Sequence, residues 1–361
     1  MEKINNIFIK TYGCQANISD SEAIAGLLKE KGCNIVNNEK DADYIIVNTC
    51  SVKNKTQSKE LDYLRKVSKD KKVIVGGCLT KTIDIRRYAP NIKAVFDTNS
   101  LIKIPSILEN PRDEFSDKKE LNRLKIPIIR SKNGIGIVPI GQGCLNNCSF
   151  CATKLARGNL ISYRIGDIKR AIEDCVNDNC KTIHLTSQDN GCYGFDIKTN
   201  LSELLNEIVT TQGDYKIRVG MMNPWHATKI LDKLIQSFKN EKIMKFIHIP
   251  VQSGSEKVLK DMKRIHTVEN FKLIVKKFRE EFDNITISTD IIVGYPSETE
   301  EDFQKTLDLI KEIKPEVINI SKFSSRFGTQ ASKLKQLASQ VIDERSIRLN
   351  ELYKEIKNSL R

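Results

Sequence analysis

The 361-residue sequence predicts an α/β protein in two parts, a doubly wound parallel sheet followed by a partial (β/α) barrel. Three observations carry that prediction. Short β-branched runs alternate with helical periodicity from the N-terminus to about residue 100. The alternation stops in a charged, proline-flanked stretch and resumes at Ile135. The second series then holds six strand–helix units, too few to close an eight-unit barrel.

In the first part, the runs at 7–11, 44–48 and 73–75 read as strands. Helical periodicity fills 19–31, with Ser19 or Asp20 as N-cap, and 52–68. Strand, helix, strand, helix requires parallel crossovers, so this unit, placed at 1–110, resembles a flavodoxin-like sheet. The segment 111–132, which includes DEFSDKKELNRLK, lacks sustained periodicity and reads as a linker with at most one short helix. The second domain is placed at 133–361, with strands at 135–140, 182–185, 216–219, 246–249, 285–292 and 317–320. Helical patterns at 167–177, 201–210, 227–238, 268–282 and 298–313 separate them, and an amphipathic helix at 342–360 ends the chain.

Apolar residues at 39% and charged residues at 29% describe an ordinary globular composition. No apolar run reaches the roughly 20 residues a membrane span needs. The opening MEKINNIFIKTYG reads as a strand and not as a secretory signal. The expected compartment is therefore the cytoplasm, where ten cysteines are metal ligands more readily than disulfides. A net charge of +13 permits contact with a polyanion such as RNA, but Lys and Arg are spread evenly along the chain.

Cys144, Cys148 and Cys151 sit in GQGCLNNCSFC, directly after the apolar run IGIVPI. Three thiolates at C-x3-C-x2-C spacing wrap three corners of a cubane iron–sulfur cluster and leave one iron open, since such clusters take four ligands. A zinc site short of a nearby ligand is the alternative. Cys14, Cys50 and Cys78 are far apart, yet each follows a predicted strand: FIKTYGC, IIVNTC and VIVGGC. Loops at the carboxyl ends of parallel strands line one crevice, so these three converge into a second three-thiolate site. Gly13, Gly76 and Gly77 immediately precede two of them and suit close backbone approach. Buried packing cysteines are the alternative here, and that is how Cys33, Cys175, Cys180 and Cys192 read. His184, His226, His248 and His266 show no ligand spacing.

With both triads in place, the sequence resembles the radical S-adenosylmethionine (SAM) methylthiotransferases. KTYGCQAN, NTCSVKNKT, GGC, GQGCLNNCSFC, ARGN, TSQDNGCYG, GMMNP, HIPVQSGS and TDIIVGYPSETEEDF stand in the family order. CATKLARGNLISYR, LTSQDNGCYG and VGMMNPWH are most similar to the branch acting on threonylcarbamoyladenosine in tRNA. Branches acting on isopentenyladenosine in tRNA, or on a ribosomal-protein aspartate, share the cysteines and differ in these stretches. A non-catalytic iron–sulfur protein that binds RNA is the reading outside enzymology. Family members usually end in a small RNA-binding (TRAM-like) β-barrel, for which no strands follow here. Tyr295, Ser297 and Phe327 stand where the family pattern has Phe, Gly and Pro.

The resemblance implies a radical SAM barrel, two 4Fe–4S clusters and SAM as cofactors, and tRNA as partner. A one-electron donor such as flavodoxin or ferredoxin and a monomeric state go with it. In the family, the cluster at Cys144, Cys148 and Cys151 reduces SAM to a 5′-deoxyadenosyl radical, which takes hydrogen from the target carbon. The cluster at Cys14, Cys50 and Cys78 presents sulfur, and a second SAM supplies the methyl group. Candidates for SAM contact are Phe150, between two cluster cysteines, and Thr186, Gln188, Arg218, Asn223, Gln252 and Asp290, at or past barrel strand ends. Arg157, Arg164 and Arg326 are candidates to grip tRNA phosphate or a substrate carboxylate.

Overall fold

The computed structural model of the chain describes residues 6–51, 54–116, 122–131 and 134–359. Strands β1 (Asn6–Thr11), β2 (Asn34–Ile35), β3 (Tyr44–Thr49), β4 (Lys72–Gly77) and β5 (Ala94–Val95) form a parallel sheet in the order β2-β1-β3-β4-β5. That order is the flavodoxin-like one. Helices α1 (Gln15–Glu30), α2 (Asn54–Val67) and α3 (Ile104–Glu109) cover it. Alternate residues of the central strands serve opposite faces, as the pleat dictates. Ile46 and Ile74 pack with Ile24, Leu28 and Ile104, while Ile45, Val47, Val73 and Val75 pack with Leu61 and Leu64. Burial on both faces is why these strands read as unbroken apolar runs.

The predicted strands fall within β1, β3 and β4, whereas β2 and β5, at two residues each, are too short to show a period. The first helix starts at Gln15 and not Ser19, with Cys14 at the N-cap and no side-chain oxygen there to signal it. Residues 52 and 53 of the second predicted helix lie outside the described residues.

The second unit opens with β6 (Ile135–Pro139) and a small hairpin, β7 (Gly141–Gln142) with β8 (Ile161–Ser162), which brackets α4 (Ala152–Arg157). After α5 (Ile165–Asn177), β9 (Thr182–Thr186), α6 (Leu201–Ile208) and β10 (Lys216–Val219) follow. The predicted helix 227–238 is two helices, α7 (Pro224–Lys229) and α8 (Leu231–Phe238), divided at Ile230 and started by the Asn223 cap with Pro224. Then come β11 (Phe246–His248), α9 (Glu256–Asp261), α10 (Val268–Glu281), β12 (Thr286–Val293), α11 (Glu300–Ile313), β13 (Val317–Lys322) and α12 (Ser339–Ser359). Residue 360, the end of the predicted last helix, lies outside the described residues.

The barrel strands form two parallel triplets, β10-β9-β6 and β11-β12-β13, and an isolated bridge from Ile217 of β10 reaches Ile243, just before β11. Ile183, Leu185, Ile217, Val219, Ile247, Ile287 and Ile291 pack outward under the helices. The alternating positions His184, Arg218, His248, Asp290 and Asn319 therefore face the inside of the open barrel. That inner face is polar and partly exposed.

Residues 122–131 of the predicted linker are packed between the two units. Arg123 is buried, and a Cβ on Gly26 of α1 would fall 2.0 Å from the Pro127 carbonyl oxygen. Residues 117–121, 132 and 133 lie outside the described residues. Among the described residues no helix is long and apolar enough to cross a membrane.

Candidate functional site

The cysteine loop of the barrel is held on all sides by backbone bonds. Gly143 enters it at φ +75°, where a Cβ would sit 1.9 Å from the Asn159 carbonyl oxygen, so the position requires glycine. Its N–H donates to Gln188 Oε1 at 2.6 Å. Further on, Ser149 N–H donates to Met262 O at 3.0 Å and Ala331 N–H to Ser149 O at 2.9 Å. Ser149 Oγ and Tyr295 Oη share a hydrogen bond of 2.9 Å. Cys151 N–H donates to Cys148 O at 3.1 Å, and Cys151 is the N-cap of α4. Burial, reinforced by the neighbouring Cys148 and Cys144 thiolates, pushes the Cys151 thiol up to about 11.

Donors surround this triad. Asn146 N–H donates to Cys144 Sγ at 3.4 Å, and Arg264 Nη1 to Cys148 Sγ at 3.6 Å. The buried Cys192 thiol donates to the Asp189 carbonyl oxygen at 3.2 Å, and its approach to Cys144 lowers the Cys144 thiol and raises its own. One ligating atom from each of Cys144, Asp189 and Cys192 lies within 4.8 Å of the others. Asp189 is itself buried, with Oδ1 accepting from Gly191 N–H and Asn223 N–H and Oδ2 paired with His226 Nδ1 at 2.8 Å.

Cys14, Cys50 and Cys78 meet at the carboxyl edge of the first sheet, around Asn17. Asn17 Nδ2 donates to the carbonyls of Tyr12 at 2.9 Å and Thr49 at 2.8 Å, fixing the amide. Its Oδ1 lies 4.0 Å from Cys14 Sγ and 3.7 Å from Cys78 Sγ. A Cβ on Gly13 would fall 2.7 Å from Cys50 Sγ, and one on Gly77 (φ +98°) 2.4 Å from the Thr49 carbonyl oxygen. Cys50 and Cys78 are buried and Cys14 is exposed, so the site opens on one side. Cys50 N–H donates to both oxygens of Glu60, at 3.1 and 3.3 Å. Burial pushes the Glu60 carboxyl up to about 8, against the opposing pull of that bond and Arg326. Three thiols around a glycine-lined opening are a donor set that fits a cubane, as is the set in the barrel loop.

The other expected residues divide. Gln252 is the most telling: it is buried in the left-handed region at φ +73°, and its Oε1 has no hydrogen-bond partner among the described residues. A strained residue aiming an unmet acceptor is what a binding site displays. Gln188 braces Gly143, Asn223 caps α7 through Trp225 N–H, and Thr186 O accepts from Ile140 N–H. Arg218 lies 4.3 Å above the Phe246 ring and Asp290 Oδ1 accepts from His248 Nε2 and Asn319 Nδ2, all on the barrel's inner face. Phe150 packs beside Val258, Met262, Tyr295 and Phe323.

Two arginines stand elsewhere than expected. Arg157 is 3% exposed and paired with Asp20, and Arg326 is 8% exposed, donating to Gln57 Oε1 at 2.5 Å. Both are turned into the cysteine site of the first sheet and neither meets solvent phosphate. Only Arg164, at the N-cap of α5, is exposed. Sequence reasoning missed Asn17, Glu60, Asp189 and Arg264. Asn17 and Asp189 lie inside the quoted stretches KTYGCQAN and TSQDNGCYG, whereas Glu60 and Arg264 lie in helical or turn sequence without a signal.

Comparison with known proteins places this geometry. Residues 138–310 match the Radical SAM superfamily, and residues 6–97 match Uncharacterized protein family UPF0004. The chain is 43% identical over 352 residues to the probable threonylcarbamoyladenosine tRNA methylthiotransferase of Pyrococcus horikoshii, covering 94% of this chain and 82% of that one. The Archaeoglobus fulgidus protein of the same description is 42% identical, with 97% of this chain and 84% of the relative covered. The human threonylcarbamoyladenosine tRNA methylthiotransferase is 35% identical over 97% of this chain and 62% of its own. Among solved structures, the radical SAM methyltransferase TsrM from Kitasatospora setae, with cobalamin and an iron–sulfur cluster bound, has a TM-score of 0.66 at 14% identity, covering 91% of this chain and 77% of that one. It shares the fold.

The barrel with its three-cysteine loop is thus that of a radical SAM protein, a class that works with a cubane cluster and SAM. Within that class, the chain belongs to the family of the threonylcarbamoyladenosine tRNA methylthiotransferases.

Proposed function

We propose that this protein is a tRNA methylthiotransferase that converts N6-threonylcarbamoyladenosine, next to the anticodon, to its 2-methylthio derivative. The observation that carries the reading is the pair of three-thiol sites, at Cys144, Cys148, Cys151 and at Cys14, Cys50, Cys78, on elements packed against each other. A cubane in the first would supply reductive cleavage of SAM, and one in the second would supply the sulfur. The chain's own residues do the rest. Gln188 and the Ser149 contacts hold the loop, Arg264 and Asn146 donate to its sulfurs, and Gln252 offers SAM an unpaired acceptor. The polar inner face of the barrel, with Arg218, His248 and Asp290, suits a modified nucleoside that carries a carboxylate. Arg164, exposed at the N-cap of α5, is the arginine assigned to tRNA phosphate.

The protein acts in the cytoplasm as a monomer, with a one-electron donor such as flavodoxin or ferredoxin, its methylthiotransferase domain at 1–110 joined by a linker at 111–132 to its radical SAM domain at 133–361. Anaerobic reduction of the reconstituted protein with dithionite in the presence of SAM tests the radical half. 5′-Deoxyadenosine should form with wild-type protein and not with C144A. Its absence from wild-type protein with iron fully loaded would overturn the reading.

A further inference from the structure

α4 connects the two cysteine sites physically. Cys151 caps its start and Arg157 is its last residue, so six residues, about 9 Å at 1.5 Å per residue, separate a ligand of one site from a neighbour of the other. Arg157 crosses the domain boundary. Its Nη2 pairs with Asp20 Oδ2 at 2.7 Å and donates to Asn17 Oδ1 at 2.8 Å, while its Nε–H donates to Cys78 Sγ at 3.3 Å. The side chain is 2% exposed.

The charge count singles out this contact. Asp20 also pairs with the buried Arg123, through Nε at 2.6 Å. Two guanidinium groups against one carboxylate leave the trio at +1. An excess buried charge is costly without a counter-charge. Arg157 faces Cys78, and Arg326 adds a further positive charge on the Cys50 side; three thiolates on a cubane core bring negative charge against both, which three neutral thiols do not. The loop site differs. Its guanidinium, on Arg264, sits at 3.6 Å from Cys148 Sγ and no buried carboxylate–guanidinium trio faces it among the described residues.

We propose that Arg157 is a positioning residue of the sulfur-carrying site: it donates to Cys78 Sγ, raises the reduction potential of the cluster held there, and fixes that cluster one short helix away from Cys151. The inference rests on the reading above that Cys14, Cys50 and Cys78 hold a cluster. Hydrogen bonds to the sulfurs and nearby charge are established levers on such potentials.

The test is an EPR-monitored redox titration in two backgrounds, one with Cys144, Cys148 and Cys151 changed to Ala, the other with Cys14, Cys50 and Cys78 changed to Ala. In the first background R157K and R157Q should lower the midpoint, R157Q by at least tenfold in the one-electron equilibrium, about 59 mV. R157K keeps the charge and loses the fork, so its shift is smaller. In the second background neither substitution should move the midpoint. If R157Q does not fold, R157K, which keeps the trio at +1 and the pairing with Asp20, carries the test alone, and its midpoint should still fall in the first background. An unmoved midpoint in the first background, or equal shifts in both, overturns the inference, because a merely structural arginine changes melting temperature and not one cluster's potential. Failure of the underlying reading is distinguishable: the first background would then bind no iron even with Arg157 present.

Discussion

Asp20→Asn isolates what holds the two domains in register. Asp20 is 2% exposed, and its oxygens take Arg123 at 2.6 Å and Arg157 at 2.7 Å. Burial alone would raise the carboxyl, but the two guanidinium charges outweigh it and hold it below the usual carboxylate range. D20N keeps the shape and strands both arginines in the interface. Removing one partner of a buried pair costs about 3–5 kcal/mol. For a domain of this size each kcal/mol lowers the melting temperature by about 2–4 °C, so the loss is roughly 6–20 °C. The assay is thermal unfolding followed by circular dichroism across pH. A depressed folded pKa contributes stability above the unfolded value of about 3.9, lost as pH falls further. Wild-type protein should therefore lose more stability than D20N as pH falls below about 4. A D20N melting temperature within about 2 °C of wild type, under 1 kcal/mol on that scale, would refute the reasoning.

Three further outcomes follow from other parts of the site. Gly143→Ala pushes a Cβ to 1.9 Å from the Asn159 carbonyl oxygen, so iron should fall from about eight to about four per chain, two cubanes to one; unchanged iron counts against the loop geometry. Gln252→Ala should weaken SAM binding about tenfold, the worth of one hydrogen bond, with iron unchanged by calorimetry-matched iron assay. Burial, aided by Arg264, lowers His266 from 6.5 to about 3. It stays neutral in the fold, so its stability contribution is present above pH 6.5 and lost as pH falls toward 3. H266Q should flatten that acid limb by about 1 kcal/mol for the first pH unit below the unfolded value, and an unaltered limb assigns it to other groups.

The architecture was legible because its signals are local. β3 and β4 are buried on both faces and read as apolar runs, and the cysteines at their ends follow from strand direction alone. Gly13 and Gly77 stand directly before cysteines, and both take the positive φ that glycine allows. What failed to show depends on distant partners. Arg157 looks like a basic residue in a polar turn, yet its burial is decided by Asn17, 140 residues away. Arg326 is similar, since its partner Gln57 is 269 residues away. Glu60 sits in a charged helix, and only the fold brings it under Cys50 N–H. Cys192 reads as packing, and the fold does bury it, but against Cys144 and Asp189. β2, β5, α3 and α4 are too short for a period to declare them.

The central claim is that the two cysteine sites act together on one nucleoside of tRNA. Its most direct test is nucleoside mass spectrometry of tRNA carrying threonylcarbamoyladenosine, after incubation with the reconstituted protein, SAM and reductant. We expect the 2-methylthio derivative with wild-type protein, and none when Cys14, Cys50 and Cys78 are changed to Ala, although 5′-deoxyadenosine still forms. Unmodified tRNA from wild-type protein that forms 5′-deoxyadenosine and holds both clusters would contradict the account.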